Sequence, residues 1–263
     1  MERLNGRVTA DGFEPEDRPR PPDWSRYGAV LFDLDGVLTD TASIHSRAWK
    51  ASFDDFLSRR AAEEGSEFVP FVIETDYRQH VDGRPRFEGV DKFLRSRGIE
   101  LPRGQPDEPA GDSTVCAVGN RKNDLVGTIL EEEGVEVYPG SLALLNHLAA
   151  SGMPMAVVTS SANAEAVLSA GGIADFFSVR VDGNVAARLG LRGKPSPDPF
   201  LEAARQLAAE PKNAIVIEDA ISGVQAGRAG EFGLVIGIDR HGVAEALRSA
   251  GADLVVSDLG ELI

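Results

Sequence analysis

Four clusters of polar residues in this 263-residue chain each follow or flank an apolar run, and each offers chemistry. Asp33 and Asp35 stand two apart directly after Ala29-Val30-Leu31-Phe32, with Gly36 behind them. Two carboxylates on a tight turn can bind a hard cation, or divide the labour between nucleophile and general acid–base. A calcium loop starting at Asp33 would need Glu at its twelfth position, which is Ile44, so that reading fails. Thr159-Ser160-Ser161 follow Val158 and open a helix, where hydroxyls and backbone N–H groups suit an anion. Lys194, in Gly193-Lys194-Pro195, stands just ahead of another helix and could neutralise a phosphate. Glu218-Asp219 follow Ile217 as a second acidic pair, of the kind that would complete a magnesium site. Taken singly, these are also an N-cap, a surface lysine and an acidic turn. Their order and their repeated placement at strand ends argue for one site.

These residues need elements to hold them together. Ala29–Phe32 is short and apolar and reads as a buried strand ending at Asp33. From about Thr41 the period changes, and Ile44, Ala48, Trp49, Phe53, Phe56 and Leu57 form the apolar stripe of a helix. A second helix is predicted over 88–97, with Val90, Phe93 and Leu94 inward and Gly98 as its stop. The stretch carrying Pro102, Gly104, Pro106, Pro109 and Gly111 reads as a surface loop, and a third helix as 118–133.

After Tyr138-Pro139-Gly140 helices and strands alternate. Helices are predicted over 141–150, 164–170, 199–208 and 243–249. Strands are predicted over 155–158, 178–181, 214–217, 234–238 and 253–256. This implies βαβ crossovers and a parallel sheet covered on both faces. The expected fold class is α/β, a Rossmann-like parallel sheet with an inserted helical cap domain. The core is expected from 26–41 and 137–263, the cap from 42–136, and the site between them. Residues 1–25, with Pro15, Pro19, Pro21 and Pro22 among charges, read as a flexible tail without a signal-peptide core.

Composition narrows the function. At 42% hydrophobic and 26% charged residues the chain is ordinary for a globular protein. No run approaches the roughly 18 apolar residues of a membrane helix, so no membrane association is expected. A net charge of −15 argues against nucleic acid and anionic membranes, and leaves anionic substrates only where cations cluster locally. The lone Cys116 permits no intrachain disulfide and fits a reducing, cytoplasmic setting. A monomer is expected. No zinc spacing, Walker lysine loop or Gly-x-Ser-x-Gly elbow is present, and His80, His147 and His241 read as structural.

In the order Asp33-x-Asp35-Gly36-x-x-Thr39, Thr159, Lys194, Glu218-Asp219, the sequence resembles the haloacid dehalogenase superfamily over about residues 27–260. Within it the chain is most similar to the β-phosphoglucomutases and their sugar-phosphate phosphatase relatives. That closer likeness rests on Asp40-Thr41-Ala42, His45, Arg47-Ala48-Trp49-Lys50, Arg121-Lys122-Asn123-Asp124, Val137-Tyr138-Pro139-Gly140 and Pro197-Asp198. The resemblance implies magnesium-dependent phosphoryl transfer through a phosphoaspartate. Asp33 would be the nucleophile and Asp35 the acid–base. The metal would lie among Asp33, the Asp35 carbonyl, Glu218 and Asp219. Thr159, Ser160, Ser161, Asn163 and Lys194 would hold the transferring phosphate.

Gly83 and Arg86 would belong to the cap loop that grips the other phosphate, with Lys122, Asn123, Thr41, His45 and Trp49 also at the substrate, a small phosphorylated sugar. Ala162 and Asp82 stand where the mutase pattern has lysines. The function implied is isomerisation of β-glucose 1-phosphate to glucose 6-phosphate through the 1,6-bisphosphate. Hydrolysis of a sugar phosphate by the same Asp33 chemistry is the alternative. A non-catalytic sugar-phosphate-binding module is disfavoured, because every acidic and cationic core position is intact.

Overall fold

The computed structural model describes residues 20–263. In chain order the core opens with β1 (Ala29–Phe32). Three helices follow: α1 (Ala42–Glu64), α2 (Arg86–Ser96) and α3 (Val115–Glu133). Then come α4 (Pro139–Ala150), β2 (Met155–Val158), α5 (Ala164–Ala170), β3 (Val179–Val181) and α6 (Gly183–Leu189). The chain closes with α7 (Asp198–Gln206), β4 (Ala214–Glu218), α8 (Ile221–Ala229), β5 (Leu234–Ile238), α9 (Ala244–Ala250) and β6 (Leu254–Val256).

The six strands form one sheet in the order β3-β2-β1-β4-β5-β6, with every pairing parallel. β1 and β2 are short unbroken apolar runs because both faces of the sheet are covered. Val30 and Phe32 pack with Leu144, Leu145 and Leu148 of α4 on one side. Ala29 and Leu31 pack with Phe200 and Ala203 of α7 and Val224 of α8 on the other. β1 is the first strand yet lies in the middle, so the chain leaves it in opposite directions along the sheet. That is the switch point at which open α/β sheets present ligands at their carboxyl edge.

Between β1 and α4 the helical block builds its own core. Phe53 of α1 is its centre, with ring centroids 5.1 Å from Trp49, 5.0 Å from Phe71 and 4.3 Å from Phe93. The stripe read from the sequence is what is buried here: Trp49, Phe53, Phe56 and Leu57 meet Val90, Phe93 and Leu94 of α2 and Val118 of α3.

Several local expectations need correction. Residues 1–19 of the expected tail lie outside the described residues, but 24–26 is already structured. Trp24 packs on the core and its Nε1 donates to the Leu262 carbonyl at 3.3 Å, because its apolar ring outweighs the polar neighbours around it. A π-helical segment, Ile73–Val81, and helices α6 and α8 lie where no element is predicted. α3 starts at Val115, three residues before the predicted 118, because the Thr114 hydroxyl caps it by accepting from Ala117 N–H at 2.9 Å.

Candidate active site

The parallel register builds the site. Phe32 pairs with Val157 on one side and Ile217 on the other, so Asp33 stands level with Val158 and Glu218. The Asp33 N–H donates to the Ile217 carbonyl at 2.9 Å, holding the carboxylate at the strand edge. Lys194, from the loop ahead of α7, reaches into this edge and is itself buried. Its ammonium donates to Asp33 Oδ1 at 2.5 Å, to Glu218 Oε1 at 2.5 Å and to the Val158 carbonyl at 3.1 Å. The other Glu218 oxygen accepts from Ala220 N–H at 2.9 Å. Gly36 turns the chain after Asp35 at φ +87°, and a Cβ there would lie 2.0 Å from Asp219 Oδ2. Only glycine satisfies both the conformation and the close approach.

Asp35 is oriented separately. Its Oδ1 accepts from Thr41 Oγ1 and its Oδ2 from Thr159 Oγ1 at 3.2 Å, while Thr41 is linked to Thr39 at 2.8 Å. His45 Nε2 lies 3.4 Å from Asp35 Oδ1, is buried, and has no hydrogen-bond partner among the described residues. On the far side of its ring, Nδ1 meets Lys122 Nζ at 2.6 Å, and that ammonium sits 5.0 Å from the Trp49 ring centroid. Burial, with Lys122 beside it, pushes His45 down to about 4. The imidazole is therefore neutral, Nδ1 accepts from Lys122, and Nε2 keeps its proton facing the site. Burial likewise lowers Lys122 to about 7, against the pull of Asp35.

The carboxylates are crowded. Burial, aided by their mutual repulsion, raises Asp33 and Asp219 well above the ordinary carboxylate value, even with Lys194 close by. Burial works against the Lys194 charge too, but Asp33 and Glu218 together outweigh it and drive its pKa up. Oxygens of Asp33, Glu218 and Asp219 all lie within 4.8 Å of one another. An all-oxygen, acid-rich donor set, buried at Asp33 and Glu218 and half-buried at Asp219, fits a hard divalent cation such as magnesium. Both Glu218 oxygens are already engaged, so Asp33 and Asp219 offer the freer ligand atoms.

A cavity of about 480 Å³ opens over this edge, between the sheet and the helical block. Asp33, Asp35, Thr159, Ser160, Ser161, Lys194, Glu218 and Asp219 line it from the sheet side, and His45, Trp49, Gly83 and Arg86 from the helical side. The Ser160 hydroxyl donates to the Gly83 carbonyl at 3.2 Å, joining the two sides directly. Thr41 and Lys122 stand behind the wall, acting on Asp35 and His45. Asn123 and Asn163 do not line the cavity. Asn163 Nδ2 donates to Asn123 Oδ1 at 3.0 Å, linking α3 to the start of α5.

Asp82, from the turn after the π-helical segment, also lines the cavity and is raised to about 6 by burial with Glu218 nearby. The cavity further takes residues to which the sequence assigns no role. Tyr77 comes from the π-helical segment itself. Arg103, Pro106 and Asp107 come from the predicted surface loop, whose inner edge lines the cavity mouth. The alternating proline and glycine of that loop mark irregular chain but carry no signal of which edge faces inward.

Comparison with known proteins places the constellation. The haloacid dehalogenase-like hydrolase family model matches residues 27–230. The β-phosphoglucomutase of Mycobacterium tuberculosis (strain CDC 1551) is 51% identical over 238 residues, 89% of this chain and 91% of that protein. That of Bacillus subtilis is 33% identical, again over 89% of this chain and 91% of its own. The crystal structure of β-phosphoglucomutase from Clostridium difficile superposes with a TM-score of 0.71 at 26% identity, covering 90% of this chain and 93% of that one. The match runs through every strand end that carries the site, and the chain belongs to the haloacid dehalogenase-like hydrolase family.

Proposed function

We propose that this enzyme interconverts β-glucose 1-phosphate and glucose 6-phosphate through glucose 1,6-bisphosphate, with the helical unit 42–136 acting as a cap over the site. One observation carries the reading: the cavity has a cation on each side, Lys194 from the sheet and Arg86 from the helical block. A substrate with phosphate at both ends needs both, whereas simple hydrolysis needs only the first. The 51% identity to a β-phosphoglucomutase over most of both chains supports the same substrate.

Magnesium would be held by Asp33, Asp219 and the Asp35 backbone carbonyl, with Glu218 alongside, and when bound supplies positive charge against the phosphate dianion. The remaining chemistry belongs to the side chains. Phosphorylated Asp33 meets the 6-hydroxyl of β-glucose 1-phosphate; Asp35 takes the hydroxyl proton as the new O–P bond forms and the Asp33–phosphate bond breaks. The resulting bisphosphate then presents its other end. Asp33 takes the 1-phosphoryl group and Asp35 returns the proton to the sugar oxygen, freeing glucose 6-phosphate. Thr41 and Thr159 hold the Asp35 carboxylate in place, and Lys194, Thr159, Ser160 and Ser161 face the transferring phosphate. The His45 N–H, without a hydrogen-bond partner among the described residues, offers a donor to the sugar beside Asp35.

Asp82 favours a second reading. A half-buried carboxyl on the cap loop, where mutases carry lysine, suits an acceptor without a second charge, and water on phospho-Asp33 would make the enzyme a sugar-phosphate phosphatase. The deciding experiment incubates the enzyme and magnesium with β-glucose 1-phosphate and a trace of the bisphosphate. Glucose 6-phosphate and free phosphate are measured together. Conversion to glucose 6-phosphate with little free phosphate is expected; phosphate released in step with substrate loss would establish the phosphatase.

A further inference from the structure

We propose that Arg103 is a specificity-determining residue, which with Arg86 forms a two-arginine clamp for the phosphate that is not being transferred. The proposal rests on the mutase reading above. It adds a residue that lies outside every motif on which the family likeness was built.

Arg84, Arg86 and Arg103 all line the cavity, and among the described residues none has a carboxylate within 4.0 Å. In the same helical block Arg47, Arg59, Arg60, Arg95, Arg97 and Arg121 each have an acidic partner, and among the described residues Arg78, outside the cavity lining, is the other arginine of the block without one. In a chain of net charge −15, guanidinium groups left unpaired around one cavity mark where an anion belongs.

Two of them share a platform. The Arg86 guanidinium carbon lies 4.6 Å from the Phe87 ring centroid and that of Arg103 lies 5.6 Å from the same centroid. The ring is seated on Gly119 of α3, where a Cβ would come within 2.9 Å of Phe87 Cδ1 and 3.3 Å of Arg86 Cγ. Glycine at 119 thus allows both side chains to sit down on the helix.

Arg103 is held as well as exposed. Its own carbonyl accepts from Cys116 N–H at 3.0 Å and that of Pro102 from Val115 N–H at 3.0 Å, in the first turn of α3. Asn120 Nδ2 ties the rest of the loop by donating to the Glu108 carbonyl at 2.7 Å and the Pro106 carbonyl at 3.1 Å. A backbone fixed this way spares the cost of ordering the loop when an anion binds and leaves only that of the side chain. Asp107 and Glu88 share the rim, so an anion is accepted only where two guanidinium groups together outweigh them. Planar, multiply donating guanidinium pairs match the three oxygens of a phosphate monoester.

The test measures binding by calorimetry in the Asp33→Asn background, which cannot take the phosphoryl group, with magnesium present. The probes are glucose 1,6-bisphosphate and inorganic phosphate, which has no second phosphate to grip. The preference for bisphosphate over phosphate is expected to shrink about tenfold in Arg103→Ala and at least as much in Arg86→Ala. Arg103→Lys, which keeps the charge and loses the fork, should fall between. Thermal melts check that each variant is folded. A full preference retained in Arg103→Ala, alongside a loss in Arg86→Ala, overturns the clamp and leaves the mutase reading standing. No preference for bisphosphate before either arginine is changed overturns the mutase reading itself.

Discussion

The ammonium of Lys194 lies 2.5 Å from Oδ1 of Asp33, and the same nitrogen lies 2.5 Å from Oε1 of Glu218. One buried cation therefore serves two buried carboxylates, one the candidate nucleophile and the other its neighbour on β4. Removing it leaves both acids without a counter-charge. Lys194→Met is expected to cost about 3–5 kcal/mol of stability as well as nearly all turnover, read by urea unfolding and by rate. The double variant Lys194→Met, Glu218→Gln should recover part of the stability and none of the rate. A single variant as stable as wild type would show that the pair is not buried as described.

Asp33 and Asp35 should fail differently when made into amides. Asp33→Asn keeps the shape but cannot form an acyl phosphate, so turnover should fall below about a hundredth of wild type with folding intact. Asp35→Asn should slow transfer roughly 10²- to 10⁴-fold while leaving magnesium affinity near normal, because its carbonyl is untouched. Collapse of magnesium affinity in Asp35→Asn, with normal chemistry at saturating metal, would reverse that assignment.

Magnesium should stabilise the fold more at pH 8 than at pH 5. Burial raises the Asp33 and Asp219 carboxyls in the folded, metal-free chain, so that state binds protons which the unfolded chain has already released. Stability is then lost as pH rises from the ordinary carboxylate value through the raised folded ones. A cation bound to the ionised groups reverses that loss, and protons compete with it at low pH. Melting temperatures with and without magnesium at the two pH values give the comparison. An equal gain at both would place the metal elsewhere.

Gly36→Ala tests how closely the turn approaches Asp219. The added methyl would fall 2.0 Å from Asp219 Oδ2 on a backbone at φ +87°, so Asp219 must move. Apparent magnesium affinity, titrated by activity, should drop about tenfold or more, as for other residues that orient metal ligands. Unchanged affinity would mean that Asp219 is free to shift without consequence.

Much of this protein is determined locally and is legible without coordinates. Ala29–Phe32, Met155–Val158 and Leu234–Ile238 are unbroken apolar runs because parallel strands are buried on both faces, and the polar residues that end them mark the sheet's carboxyl edge. The stripe from Ile44 to Leu57 declares a helix because its period is set by helical geometry alone. Helices α6 and α8 escape this reading because they are short and rich in glycine and alanine, leaving too few large apolar residues to show a period.

What only the tertiary structure decided are the encounters between distant segments, since no local pattern encodes which polar group meets which. Asn123 and Asn163 look like substrate contacts in a linear motif, yet the fold brings them together, and the Asn163 amide donates to the Asn123 carbonyl oxygen across two helical segments. Arg103 looks like loop, yet the first turn of α3 draws its backbone to the cavity mouth, where its guanidinium and that of Arg86 share the ring of Phe87. The perturbed titrations of His45, Lys122 and Asp82 come from burial, and burial is a property of the packed chain rather than of any residue's neighbours in sequence.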